Sequence, residues 1–236
     1  PGKAIKNLLS GLAISETSND TALTSPAISL LLSSDTSGLR QWLFDHCQAK
    51  AAANFVEEIA APLAREVGDL WAKGELPVYA EHVFSEEMET VLRRVPSKKA
   101  GNDAQPRILL TALAGEKHTL GLRMAGAVLN ECGETPLYLS ADLPANEIAV
   151  AASHYRIAVV GVTASLSYPP KLLLASLKAL RRQLPESIQL WAGGAGIGQL
   201  SHLPENTVQI ANMQALTEQL ASLPPPSQPN LRVQQP

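Results

Sequence analysis

Residues 107–132 read RILLTALAGEKHTLGLRMAGAVLNEC, and the order of patterns within this stretch decides the predicted fold. The apolar run at 107–112 has the length of a fully buried strand, and 120–132 has the spacing of an amphipathic helix. A short polar loop, GEKHT, separates the two. A buried strand followed by a helix is the repeating unit of a parallel sheet that is covered on both faces. We therefore predict that an α/β domain begins here.

The same alternation continues towards the C-terminus. Apolar runs predict further strands at 135–139, 157–162, 187–191 and 207–210, and amphipathic spacing predicts helices at 145–153, 170–183 and 213–223. We interpret 105–223 as a doubly wound, Rossmann-like parallel sheet. The Pro-rich tail at 224–236 is expected to be extended or disordered.

The residues before this domain have a helical pattern. Apolar spacing and turn residues predict about four helices over 25–97: a short one near 27–32, one after Ser37-Gly38, a long one ending at Gly74, and one from Pro77 to Val95. This region is predicted to be a four-helix bundle with short connections. The polar sequence SKKAGNDAQ at 97–105 marks the boundary. We interpret 1–24 as the end of a preceding segment, with helical residues at 4–11 and a polar linker at 15–25.

The composition excludes several classes of protein. The 236 residues are 45% hydrophobic and 17% charged, with a net charge of −3, which is too balanced for a DNA-binding surface on its own. Only two cysteines are present, so neither a disulfide framework nor a four-thiolate zinc site is available. No apolar run approaches the roughly 20 residues of a membrane helix. We expect a reducing, cytoplasmic location and no membrane partner.

Three loops at the carboxyl ends of the predicted strands could bind a ligand, because doubly wound sheets bind ligands there. His118 follows the first strand, a run of small hydroxyl residues from Thr163 follows the third, and a Gly-rich turn at 193–198 follows the fourth. Each feature alone is ordinary, since loop histidines are usually solvated and hydroxyl residues often cap helices. The glycines do not indicate a dinucleotide site, because that motif follows the first strand.

Taken together, the three loops resemble the cobalamin-binding domain shared by methionine synthase, mutases and corrinoid proteins. The pattern of that domain is Asp-x-His-x-x-Gly, then a Ser-x-Leu region, then a Gly-Gly pair. The resemblance implies that His118 ligates the cobalt of cobalamin and that a carboxylate two residues away orients its ring. The cofactor-binding residues that it implies are Glu116, Thr119, Leu120, Gly121, Thr163, Ser165, Leu166, Gly193 and Gly194. Glu116 replaces the usual Asp, which belongs to a proton relay in the catalytic members, so this change argues against an enzyme.

The helical half carries a second signature, WAKGELPVYAEH at 71–82. The turn from Gly74 to Pro77 folds the chain back, so that Trp71, Glu81 and His82 can share one surface. The spacing resembles the Trp-x9-Glu-His signature of light-sensing, cobalamin-dependent transcriptional regulators of the CarH/LitR type, in the MerR family. The resemblance implies a photoreceptor in which these three residues cover adenosylcobalamin. It also implies a homo-oligomer that binds DNA through an N-terminal domain missing from this sequence.

One position departs from that family. The residue after the tryptophan is a histidine that takes the upper cobalt site in the best-known members after photolysis, and here it is Ala72. His82, His46 or water would have to take that site, or the chain uses a second chromophore such as a bilin. The residue pattern leaves two other functions open. These are a corrinoid methyl-carrier protein of a methyltransferase system and a cobalamin-binding antirepressor without its own DNA-binding domain.

Overall fold

A computed structural model of the chain describes residues 20–98, 106–139 and 141–224. The predicted helix at 4–11 and the Pro-rich tail after Pro224 lie outside these residues. In the described part of the chain, no helix is long and apolar enough to cross a membrane.

Within the described residues, the first half forms a bundle of four helices. They are α1 (Asp20–Leu32), α2 (Thr36–Gln48), α3 (Ala52–Phe55, continuing through Val56–Ala60 and Ala61–Lys73) and α4 (Val78–Leu92). Gly74 ends α3 in the left-handed conformation, with φ of 77°, and Pro77 directly precedes α4. These are the stop and start signals that the sequence contained.

The first helix is longer than predicted. Helix α1 begins at Asp20, so the last residues assigned to the polar linker are helical. The reason is tertiary packing, because Thr24 lies on the same helix face as Ala27, Ile28 and Leu31 and is only 1% exposed. The Thr24 hydroxyl donates a hydrogen bond to the Glu66 carboxylate of α3. A threonine that looks like a linker residue in the sequence therefore belongs to the buried stripe.

A π-helical turn at Val56–Ala60 interrupts α3. Phe55, Ile59, Leu63 and Val67 follow one another at intervals of four and are all at most 1% exposed. An α-helix has 3.6 residues per turn, so a strict spacing of four drifts around its surface. The wider π turn rotates the chain back and keeps all four side chains on the core side.

The second half is a five-stranded parallel sheet with helices on both faces. Its elements are β1 (Ile108–Ala112), α5 (Leu120–Glu131), β2 (Leu137–Tyr138), α6 (Ala145–His154), β3 (Val159–Thr163), α7 (Pro170–Gln183), β4 (Gln189–Gly193), β5 (Thr207–Ile210) and α8 (Met213–Ser222). The strand order is β2-β1-β3-β4-β5. The predicted fold class, a helical bundle followed by a doubly wound parallel sheet, is confirmed.

Strands β2, β3 and β4 each begin two residues later than predicted, β3 spanning Val159–Thr163. Strand β2 has only two residues because Pro136 has no backbone N–H to donate to the ladder at this sheet edge. Strand β4 is displaced by two residues towards the C-terminus. Arg181 donates to the carbonyl oxygens of Leu184, Pro185 and Ile188 and holds this segment against α7. The ladder with β3 therefore begins at Gln189 and includes Gly193, which pairs with Thr163.

The bundle covers one face of the α/β half. One hydrophobic core joins the bundle to α5, α8 and that face of the sheet, and a second core lies between the sheet and α6 and α7. Polar contacts reinforce this junction. Among them, the Glu131 carboxylate accepts from the N–H of Ala52 at 2.8 Å, and the Glu57 carboxylate accepts from the N–H of Met213 at 2.8 Å.

Candidate functional site

The candidate site lies where the sheet changes winding direction. Strands β1 and β3 are hydrogen-bonded neighbours. The chain leaves β1 towards α5 on the bundle side and leaves β3 towards α7 on the opposite side. A crevice therefore separates the two loops at the carboxyl ends of these strands, which is where open α/β sheets bind ligands. The first loop carries His118 and the second carries Ser165.

Glu116 joins these two loops. Its side chain is 2% exposed, and its Oε1 atom accepts hydrogen bonds from the backbone N–H and from Nδ1 of His118, both at 2.8 Å. Its Oε2 atom accepts from the N–H and the hydroxyl of Ser165, at 2.7 and 2.8 Å. Glu116 therefore orients the imidazole of His118, although its side chain is longer than that of the aspartate in the Asp-x-His-x-x-Gly pattern.

This arrangement presents the other ring nitrogen of His118. Because Nδ1 faces the carboxylate, Nε2 is the atom that can ligate a metal, and the His118 side chain is 58% exposed. A histidine whose Nδ1–H is held by a carboxylate is the common form of a metal-binding imidazole in proteins. The donor set therefore fits a corrinoid cobalt, which requires a single nitrogen ligand from the protein.

These hydrogen bonds also shift the pKa values of Glu116 and His118. Burial alone would raise the pKa of Glu116, but the hydrogen bonds from His118 and Ser165 together outweigh it and lower that pKa to about 2. The hydrogen bond to Glu116 raises the pKa of His118 against the opposing effect of burial, and the negative charges of Glu116 and Glu81 raise it further. Glu81 belongs to α4, so its charge acts on the pKa of His118 from the bundle.

We predict that the ligand-free chain loses stability in acid through Glu116. Its folded pKa of about 2 is below its ordinary value of 4.5, so the unfolded chain binds more protons between these values. The stabilisation is complete above about pH 4.5 and is lost as the pH falls towards 2. Urea denaturation at pH 6 and pH 3 should show a larger fall in the free energy of unfolding for the native chain than for Glu116→Gln. Equal falls would contradict the hydrogen-bonding account of Glu116.

The residues after His118 have protein partners. The Thr119 hydroxyl donates to Oε1 of Glu89 in α4 at 2.9 Å. Leu120 is partly buried and packs against the larger core. A Cβ built on Gly121 would lie 3.5 Å from Thr163, so the first turn of α5 already packs on the end of β3. A nucleotide tail could enter between them only if α5 moved away from the sheet.

The glycine pair has a structural reason that the sequence did not show. A Cβ on Gly194, whose φ is 93°, would lie 2.5 Å from the carbonyl oxygen of Ala164. A Cβ on Gly193 would lie 3.2 Å from the carbonyl oxygen of Ile210. The resemblance implies that Gly193 and Gly194 bind the cofactor. Protein backbone lies beside both Cα atoms, because the loop after β3 packs against Gly194 and the end of β5 packs against Gly193.

The three bundle residues lie on neighbouring turns of α3 and α4. Trp71, in the last turn of α3, is 42% exposed. Glu81, in the first turn of α4, has its Oε2 atom 2.9 Å from Nδ1 of His82. On the sheet side, Leu166 is 48% exposed. Large apolar side chains are thus accessible on both the bundle and the loop after β3.

Ser85 is a residue that sequence reasoning missed. Its hydroxyl donates to Oε1 of Glu81 at 2.9 Å. Ser85 follows Glu81 by four residues, so the helical repeat places the two side chains together. That spacing is the signal that could have identified Ser85 as a partner of the glutamate.

His46 does not lie near this surface. Helices α2 and α4 run in the same direction, because Arg40 pairs with Glu87 and Arg94 lies over the ring of Phe44. His46, two residues after Phe44, is therefore at the level of the C-terminal end of α4, roughly 18 Å along the helix from His82 at 1.5 Å per residue. The alternative that His46 replaces the histidine missing at position 72 is contradicted.

The helical bundle matches a known class of domain. Residues 27–95 match the sequence model of the family described as the B12 binding domain. This match and a similarity to a known repressor together support a cobalamin-binding region of the CarH-like kind.

Over 143 residues the chain is 28% identical to the HTH-type transcriptional repressor CarH of Myxococcus xanthus. The match includes 59% of this chain and 46% of the repressor, so the chain spans about half the length of this curated relative. The structure is similar to that of the Methanosarcina barkeri monomethylamine corrinoid protein, with a TM-score of 0.63 and 15% identity. That similarity covers 86% of this chain and 100% of the other, and it concerns the fold alone.

Proposed function

We propose that this chain is the adenosylcobalamin-binding, light-responsive regulatory region of a transcription regulator. The observation that carries the proposal is the Glu116–His118 pair, which presents an oriented imidazole at the crevice of the sheet, next to a bundle that matches the B12 binding domain family. The similarity to the CarH repressor supports a regulatory function rather than a catalytic one.

The residues of the chain have separate functions in this proposal. His118 would ligate the cobalt of a bound corrinoid through Nε2, and Glu116 keeps the imidazole in the tautomer that offers this atom. Trp71 covers the upper group, with Glu81 and His82 beside it. In this proposal the corrinoid lies against the loops that follow β1, β3 and β4, and its nucleotide tail enters when α5 moves away from the end of β3. The residues of these loops and of the adjoining element ends are Thr119, Leu120, Gly121, Thr163, Ser165, Leu166, Gly193 and Gly194.

When bound, the cofactor supplies a cobalt–carbon bond that light can cleave. Trp71 would contact the adenosyl group of the bound cofactor, so loss of that group in the light would remove a contact that stabilises one position of the bundle. A ligand controls a conformational equilibrium only through such differential contacts. The displaced bundle changes a homo-oligomer interface and thereby the affinity for DNA, which another domain of the regulator contacts.

Ala72 limits the cobalt ligands that are available after illumination. Its side chain has no metal ligand, and His46 is remote, so a second protein ligand on the upper face would have to come from His82. If His82 did not supply this ligand, water would. The absorption spectrum of the illuminated protein distinguishes imidazole from water on cobalt.

The proposal predicts a photochemical response of the purified chain. Adenosylcobalamin added in the dark should bind, and illumination should change the absorption spectrum of the complex. His154→Ala is a suitable control, because His154 ends α6, beside the amino ends of the strands and away from the crevice, and should leave both spectra unchanged. A bound cofactor with identical spectra before and after illumination would contradict light sensing. Preference for methylcobalamin with methyl exchange would instead favour a corrinoid methyl carrier.

A further inference from the structure

Glu89 of α4 lies at the junction between the bundle and the His118 loop. Its side chain is 14% exposed and accepts a hydrogen bond from Thr119 at 2.9 Å. It also pairs with Arg93 of its own helix and lies 3.5 Å from Nε of Arg123 in α5. The Glu89 carboxylate therefore interacts with three side chains, and two of them, Thr119 and Arg123, lie at the start of α5.

The hydroxyl of Thr119 forms a hydrogen bond with a distant residue instead of with its own helix. Thr119 is the N-cap residue of α5, and threonine at this position commonly accepts a hydrogen bond from its own helix. Here the side chain makes no such capping bond and donates to Glu89, 30 residues earlier in the chain. Thr119 directly follows His118, so this contact links the loop of the proposed cobalt ligand to the bundle.

The same face of α4 carries the proposed upper contacts. His82 and Ser85 precede Glu89 by seven and four residues, spacings that place all three side chains on one side of a helix. At 1.5 Å per residue, His82 is roughly 10 Å along the axis from Glu89. The hydrogen bond between Glu89 and Thr119 therefore also sets the distance of His82 and Glu81 from the His118 loop.

The contact is not what holds the two halves together. The shared hydrophobic core and the Glu131–Ala52 and Glu57–Met213 hydrogen bonds join the bundle to α5 and α8 elsewhere. Loss of the Glu89–Thr119 bond should therefore loosen the His118 loop locally without detaching the bundle.

We propose that Glu89 and Thr119 are positioning residues that set the separation between His118 and the Trp71–Glu81–His82 surface. This inference rests on the proposed function for its ligand, but the contact itself can be tested on the ligand-free chain. Through the hydrogen bond between Thr119 and Glu89, a movement of the His118 loop would act directly on α4.

The first test is hydrogen exchange of the backbone amides of 116–123 without cofactor. Thr119→Val, which keeps the side-chain size, should accelerate exchange by about tenfold, the effect of one lost hydrogen bond to a charged group. Thr119→Ser restores the hydroxyl and should restore protection. Thr217→Val is the matched control, because its hydroxyl bonds within α8 to the carbonyl of Gln214. Unchanged exchange in Thr119→Val would overturn the proposal.

A double-mutant cycle separates this contact from a direct contact of Thr119 with the cofactor. If the two residues act through one bond, Thr119→Val should add little further exchange in a Glu89→Ala background. Additive effects would overturn the proposal.

The final readout is the absorption spectrum of cobalamin at saturation. It should show a smaller histidine-ligated fraction in Thr119→Val and in Glu89→Ala, and a native fraction in Thr119→Ser. An unchanged fraction in all variants would overturn the positioning function. Failure of the native chain to bind cobalamin would overturn the proposed function. The exchange experiments on the ligand-free chain would still test whether the Thr119–Glu89 hydrogen bond holds the His118 loop.

Discussion

His118→Ala is expected to remove the protein ligand from cobalt and to weaken cobalamin binding by at least about 100-fold. Loss of residues that only orient a ligand already reduces metal affinity by about 10–100-fold, and His118 is the ligand itself in our proposal. The alanine also removes one of the two hydrogen bonds to Oε1 of Glu116, that from the ring, and keeps the one from the backbone N–H, so the ligand-free chain loses some stability as well. Titration with hydroxocobalamin, followed by absorption spectroscopy, measures both the affinity and the axial ligand.

Glu116→Gln provides the graded comparison. The amide keeps the size of the side chain but removes the charge that fixes Nδ1 of His118, so the affinity should fall by about 10–100-fold while imidazole ligation remains detectable. His154→Ala should bind as the native chain does. Retention of the native spectrum in His118→Ala would exclude this histidine as the axial ligand.

Gly194→Ala is expected to have the largest effect on stability among the residues of the candidate site. The new methyl group would lie 2.5 Å from the carbonyl oxygen of Ala164, and the φ of 93° is unfavourable for any residue with a Cβ. Backbone strain and overpacking together should lower the free energy of unfolding by about 2–4 kcal/mol. For a chain of this size, 2 kcal/mol corresponds to a fall in Tm of roughly 4–8 °C.

Gly198→Ala is the matched control in the same loop. A Cβ on Gly198 meets no atom within 4 Å, so the substitution should change the free energy of unfolding by less than about 1 kcal/mol. Thermal unfolding of the ligand-free variants compares the two. If Gly194→Ala unfolded with the native Tm but lost cobalamin, the glycine would serve the ligand rather than the packing of the two loops.

The elements of the fold could largely be predicted from the sequence because their causes are local. The apolar runs at β1 and β3 mark strands that are buried on both faces, and Gly74 and Pro77 mark a helix end and a helix start. Prediction was less accurate where a side-chain hydrogen bond, long-range for Thr24 and short-range for Arg181, decides the local structure. Thr24 is helical because it packs against the bundle, and β4 starts late because Arg181 holds the segment before it.

The candidate site, too, could be predicted from the sequence only in part. The sequence by itself determined that a histidine follows the first strand, that a carboxylate lies two residues before it, and that small residues follow the third and fourth strands. Only the tertiary structure decided how these groups are used. Ser165 reaches Glu116 across 49 residues, Thr119 bonds to Glu89 rather than to its own helix, and Gly194 accommodates the backbone of Ala164. Residue spacing fixes neighbours within one element, whereas hydrogen-bond partners between loops depend on how the strands and helices pack.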